Sequence, residues 1–129
     1  MSLFVCKMFT FDAAHFLPNH KGKCKNLHGH TWKIKIKIKG DINKDEMSSE
    51  FGMIMDFKRL ESLVKEYILS KLDHTNLNNI IHNPTAENIL DFIVQQLPES
   101  VIITLHSIKL YESENSYVEW ENPILNAIF

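Results

Sequence analysis

Between Thr31 and Gly40 the chain alternates without a break, with Trp32, Ile34, Ile36 and Ile38 on one parity and Lys33, Lys35, Lys37 and Lys39 on the other. Successive side chains of a strand point to opposite faces, so this segment reads as a β-strand with one face in a core and a lysine-lined face outside it. A helix would scatter both sets around its circumference. The strand needs a partner, and Leu3 to Phe11, rich in Phe and Val, reads as its antiparallel neighbour.

From Asp56 onward the period lengthens: Phe57, Leu60, Val64, Tyr67, Ile68 and Leu72 fall at helical spacing, and Asp56 is placed to cap the helix they form. Asn83-Pro84-Thr85 opens a second helix, with Thr85 as cap, running through Ile89, Phe92, Ile93 and Leu97 to Pro98. Val101 to Glu112 and Ser116 to Trp120 then read as two strands joined by the turn Ser113-Glu114-Asn115. The expected order is ββααββ, an α+β domain whose four-stranded antiparallel sheet carries two helices on one face. Such a sheet leaves its lysine face and both edges uncovered. Either the lysines are simply solvated, or the edges pair between subunits into a closed barrel with a basic inner wall.

A chain of 129 residues, 44% of them hydrophobic, is expected to form a single domain over 1–129. Its formal charge of -2 gives no general attraction for nucleic acid or an anionic membrane. No apolar run approaches the roughly 20 residues that cross a bilayer, and the N-terminus lacks the apolar core of a secretory signal. Two cysteines cannot build a disulfide framework and suit a reducing cytosol, so a cytoplasmic protein is expected.

The seven histidines are the compositional oddity. His28 and His30, in Leu27-His28-Gly29-His30, share the parity of Trp32, so both imidazoles can converge on one ion, and an antiparallel return brings His15 beside them. His-x-His alone reads more readily as a surface pair, and it is the addition of His15 that favours a metal site. Three neutral imidazoles leave a coordination position open, the catalytic pattern for Zn²⁺, although imidazole also suits Cu, Fe or Ni. Cys24, between Lys23 and Lys25, is either a fourth ligand of a closed structural site or a thiolate beside the metal, serving as general base or nucleophile. Cys6 reads as an inert core residue. Asp73-His74 sets an acid beside an imidazole whose tautomer it can fix. Glu112 ends an apolar strand, either emerging into solvent or accepting two parallel hydrogen bonds from the amidine-like edge of a heterocycle. His20, His82 and His106 read as ordinary loop or strand residues.

Taken together, Phe11-Asp12-Ala13-Ala14-His15, Gly22 to His30, Gly52-Met53-Ile54-Met55-Asp56-Phe57, Leu72-Asp73-His74, Pro84-Thr85-Ala86-Glu87-Asn88 and Glu112 resemble the 6-pyruvoyltetrahydropterin synthase and 6-carboxytetrahydropterin synthase family, from about Phe9 to Trp120. The resemblance implies a tunnelling fold, in which trimers close a β-barrel and two trimers stack into a homohexamer. It implies Zn²⁺ on His15, His28 and His30, binding the side-chain hydroxyls of a pterin triphosphate substrate, 7,8-dihydroneopterin triphosphate. Cys24 matches the family's proton acceptor. Asp73 and His74 match its relay, supplied across a subunit interface, and Glu112 matches the pterin anchor grouped with that relay. Thr85 and Glu87 match a motif near the pterin pocket, although Thr85 also serves as the helix cap. Neither nucleic acid nor membrane is implied as a partner.

Within the family the carboxy branch, which releases acetaldehyde and triphosphate on the way to queuosine and other deazapurines, is the nearer match. Its members share this short length, the start almost directly at the first strand and a Lys- or Gly-flanked cysteine close to His-Gly-His. The pyruvoyl branch, which feeds tetrahydrobiopterin, is the runner-up, and a pterin- or zinc-binding oligomer without turnover is the non-enzyme alternative. The apolar end from Asn122 to Phe129 departs from both branches and receives no role.

Overall fold

The computed structural model describes residues 2–128. Strand β1 (Leu3–His15) and strand β2 (His28–Gly40) pair antiparallel in continuous register, from Leu3 opposite Gly40 to His15 opposite His28. Both are longer at the histidine end than their apolar patterns indicate. Ala13, Ala14 and Gly29 carry little side-chain signal, yet their backbone groups are satisfied by continuing the ladder. His15 and His28 therefore lie within strands and not in the loop that joins them. That loop is closed at its neck by the Leu17 N–H donating to the Cys24 carbonyl at 2.7 Å.

Helix α1 (Phe57–Val64) starts where the Asp56 carboxylate accepts the Lys58 N–H at 2.8 Å, and it runs on through a wider π-helical turn (Lys65–Leu69) to Leu72. A two-residue strand, β3 (Thr75–Asn76), follows. Helix α2 (Ala86–Gln96) is capped by Thr85, whose hydroxyl accepts the Asn88 N–H at 3.1 Å. A short helix α3 (Glu99–Ile102) occupies the segment expected to open the third strand. Pro98 presets its entry and Glu99 sits in its first turn, so strand β4 begins only at Leu105 (Leu105–Ser113). Strand β5 (Ser116–Glu121) and a terminal helix α4 (Pro123–Ile128) complete the order.

The sheet order is β3-β1-β2-β4-β5, with β3 parallel to β1 at Ala13 and Ala14. The sheet is thus five-stranded and mixed, and not the four-stranded antiparallel sheet expected. A strand of two residues has no periodicity to read. Among the described residues the sheet is open within one chain: the outer edge of β1 from Leu3 to Phe11 has no strand beside it, and neither has the outer edge of β5.

The helices cover the Trp32 face. Trp32, Ile34, Ile36 and Ile38 are each at most 1% exposed and pack with Leu60, Val64, Ile68, Ile89 and Ile93. Burial of each such isoleucine contributes roughly 1.5–3 kcal/mol. On the opposite face Lys33 and Lys37 each stand 4.5 Å from an aromatic ring, Tyr111 and Phe4 respectively. Cys6 pairs with Lys37 and is half-buried on this lysine face, so it is not the core residue expected. The apolar C-terminus becomes α4, anchored by the buried Asn122, whose side-chain amide donates to Ile102 (2.9 Å) and Leu105 (3.1 Å) carbonyls. Among the described residues no helix is long and apolar enough to cross a membrane.

Candidate metal centre and its surroundings

The β1–β2 register decides what meets at the end of the strand pair. His15 faces His28, and Ala13 faces His30, so all three imidazoles project to the core face beside Trp32. Ring centroids are 4.6 Å apart for His15 and His28, 4.8 Å for His28 and His30, and 5.2 Å for His15 and His30. One ligand nitrogen of each lies within 4.8 Å of the other two. This is the spacing of donors around a single ion.

Hydrogen bonding fixes which nitrogens are available. His15 Nδ1 is 2.8 Å from the Pro84 carbonyl, and His28 Nδ1 is 2.7 Å from the Asn26 carbonyl. A carbonyl oxygen only accepts, so in both rings Nδ1 carries the proton and the Nε2 lone pair is left free, the usual outer support of a metal-binding histidine. His15 Nε2 and His30 Nε2 are buried and have no hydrogen-bond partner. Orphaned buried nitrogens of this kind are costly unless something binds them, and the set fits a cation that takes neutral nitrogen donors. Burial pushes the His30 pKa below its ordinary value, and the other two imidazoles push the same way against the raising effect of Glu112. The neutral, ligating form is thereby favoured.

Cys24 is half-buried in a short turn (Lys23–Lys25) and is not a member of the imidazole cluster. Glu112, at the end of β4, places Oε1 3.7 Å from His30 Nε2, too long for a hydrogen bond but close enough to line the same end of the sheet. Asp73 and His74 do not join this group. With Asp12 they form a separate, exposed cluster, in which the Asp12 N–H donates to Asp73 Oδ1 at 3.0 Å and His74 Nδ1 lies 3.4 Å from Asp73 Oδ1. Thr85 is engaged as the α2 cap, and Glu87 is exposed in the first turn of that helix.

Sequence reasoning gave no role to Asp12, Asn26, Pro84 or Trp32. The Asn26 and Pro84 contributions come from backbone carbonyls, which leave no trace in residue type. Asp12 was visible as the polar residue inside Phe11-Asp12-Ala13, and Trp32 as the bulkiest residue on the strand. Beyond Pro84 a cleft of about 470 Å³ is lined by Phe16, Asn78, Asn83 and Asn88, among others.

An open sheet covered by helices on one face, with three converging imidazoles at one end of its central strand pair, defines an α+β protein with a histidine cluster able to hold a metal ion. The chain belongs to the 6-pyruvoyl tetrahydropterin synthase family, whose model matches residues 4–123. It is 36% identical to 6-carboxy-5,6,7,8-tetrahydropterin synthase of Haemophilus influenzae, over 91% of this chain and 97% of that protein. It is 37% identical to 6-pyruvoyl tetrahydrobiopterin synthase of Dictyostelium discoideum, over 84% of this chain and 88% of that one. The fold is shared with Caenorhabditis elegans 6-pyruvoyl tetrahydropterin synthase at a TM-score of 0.78 and 20% identity, covering 94% of this chain and 96% of that one.

Proposed function

We propose that the chain is a zinc-dependent, cytoplasmic enzyme that converts 7,8-dihydroneopterin triphosphate to 6-carboxy-5,6,7,8-tetrahydropterin, releasing acetaldehyde and triphosphate. The observation that carries this reading is the imidazole cluster with its orphaned Nε2 atoms, in a chain so similar to the Haemophilus influenzae protein.

His15, His28 and His30 would hold the ion. When bound, Zn²⁺ supplies Lewis acidity that eases deprotonation of carbon beside the substrate's side-chain hydroxyls. Cys24, close in sequence to the triad yet outside its ligand cluster, accepts the proton. Glu112, beside His30, accepts paired hydrogen bonds from the amidine-like edge of the pterin, which sets the side chain toward the imidazoles. Thr85 and Glu87 lie at the start of α2, next to the Pro84 carbonyl that orients His15.

Asp73 and His74 form the relay, and they come from a neighbouring subunit, because within one chain they cluster with Asp12 and not with the imidazoles. Subunits associate through the unpaired edges of β1 and β5, closing a trimeric barrel lined by the lysine face. Two trimers then stack into a hexamer. The two free thiols suit a reducing cytosol.

Incubating the zinc-loaded protein with 7,8-dihydroneopterin triphosphate and weighing the product tests the reading directly. Acetaldehyde with a carboxypterin supports it. A pyruvoyl product assigns the chain to the branch of the Dictyostelium discoideum relative, and unchanged substrate overturns both.

A further inference from the structure

Trp32 is fully buried and stands edge-on to two of the three imidazoles, with ring centroids 5.1 Å from His15 at 81° and 5.2 Å from His30 at 74°. Its indole N–H donates to the Ala13 carbonyl at 3.2 Å, and Ala13 is the cross-strand partner of His30. Phe11, its own cross-strand partner, lies 6.1 Å away with its ring plane within 8° of parallel. The indole is therefore fixed by Phe11 on one side and by the Ala13 carbonyl on another, while its edge meets the rings of His15 and His30. Ala13 lies between Phe11 and His15 on the same face of β1, and its single methyl leaves room for the indole to reach His15.

The three imidazoles are held in different ways. His15 and His28 each have a carbonyl on Nδ1. The His30 ring has no hydrogen bond among the described residues, and the Glu112 carboxylate is 3.7 Å away. The terminal torsion of an unsupported imidazole is broad, so nothing but packing keeps His30 Nε2 turned toward the other two rings. The rings packed against it are Trp32 and the neighbouring imidazoles themselves. Among the described residues the indole's imidazole ring contacts are with His15 and His30, whereas His28 depends on the Asn26 carbonyl in the loop.

We propose that Trp32 is the positioning residue of this centre, holding the His15 and His30 rings in their converged orientation before any ion arrives. The ion then meets two donors already aimed, and binding costs little reorganisation. The proposal rests on the reading of the imidazole cluster as a metal site and not on the pterin reaction.

The test is titration of chelator-stripped protein with Co²⁺, in competition with a chromophoric chelator, for wild type, Trp32→Phe and Ile36→Val. Phe keeps an apolar ring but loses the indole N–H and the second ring, whereas Ile36 lies further along the same face of β2, away from the imidazoles. Trp32→Phe is expected to bind Co²⁺ about tenfold or more weakly, the scale of a lost outer support, with an altered visible spectrum. Ile36→Val is expected to match wild type in both. Wild-type affinity and spectrum in Trp32→Phe would overturn the proposal, and so would an equal loss in Ile36→Val, which would mark general destabilisation.

A second measurement needs no variant. In metal-free wild-type protein, nuclear Overhauser contacts from the indole protons to the His15 and His30 ring protons are expected at the strength seen with zinc. Their absence without metal would equally overturn the assignment. Neither readout involves turnover, so a failure of the pterin reaction leaves this result intact and the reverse also holds.

Discussion

Asp73 Oδ1 accepts the backbone N–H of Asp12 at 3.0 Å, one of two bonds that tie the Leu72-Asp73-His74 turn to the edge of β1. His74 follows with φ at 60°, its own N–H donating to the Asp12 carbonyl at 2.7 Å and its side chain 73% exposed. Asp12 faces Thr31, one residue out of phase with the Ala13–His30 pair, so its carboxylate lies on the sheet face away from the imidazoles, and Asp73 and His74 cluster with it at the edge of β1. In the proposed assembly the imidazoles and this turn are supplied to one site by two neighbouring chains.

Complementation tests that division. Cys24→Ala and His74→Ala are each expected to be inactive alone. When the two variants are refolded together, activity is expected to return to about a quarter of the wild-type value, since random mixing leaves that share of interfaces with both intact residues. No recovery in mixed oligomers would mean that the turn and the thiol of one site are not supplied by different chains.

Much of this was legible in the sequence because it depends on periodicity. The Trp32 to Ile38 alternation established β2 and its buried face, and the spacing from Leu60 to Leu72 established the first helix together with its Asp56 cap. The pairing of His28 with His30 followed from strand parity alone. What escaped had no side-chain pattern. β3 is two residues long and is held by backbone bonds to Ala13 and Ala14, and α3 replaced a strand start because Pro98-Glu99 favours a helical turn over the apolar character of Val101 and Ile102. The separation of Asp73 from the imidazoles followed from the family resemblance and not from any residue pattern, for a related reason. It depends on which side of β1 the turn docks, and a one-residue change of phase reverses that side.

Cys24 separates a catalytic from a closed metal site. Because its thiol lies outside the imidazole cluster, Cys24→Ala is expected to retain a full equivalent of metal while losing roughly 10²–10⁴-fold in turnover, the range for a missing proton-transfer group. Metal analysis alongside product formation decides the matter. Loss of metal in this variant would make the thiol a ligand.

His28 is the ligand whose removal leaves most of the framework untouched, since it is only partly buried and is held by the Asn26 carbonyl at the loop. His28→Ala is expected to weaken metal binding by more than about 100-fold, beyond the range for outer supports, with little change in metal-free thermal stability. Full metal occupancy after dialysis against a weak chelator would remove His28 from the centre.

Glu61 controls a pH dependence of a different origin. Its carboxylate takes Lys65 at 2.7 Å on the same helix and Lys7 at 3.0 Å on β1, bracing α1 against the open edge of the sheet. The hydrogen bonds from Lys65 and then Lys7 hold its pKa down from 4.5 to about 2. A carboxyl depressed on folding binds fewer protons in the native than in the unfolded state, so its stabilisation is fully present above the unfolded value and fades as pH falls toward the folded one. Glu61→Gln is therefore expected to unfold at lower urea concentration than wild type near neutral pH. Below about pH 4.5 the two curves should draw together, meeting near pH 2. The gap at neutral pH should be small and should shrink with added salt, because both lysines sit near the surface. A gap that persists unchanged at the acid end would assign the effect to packing of the side chain and not to its charge.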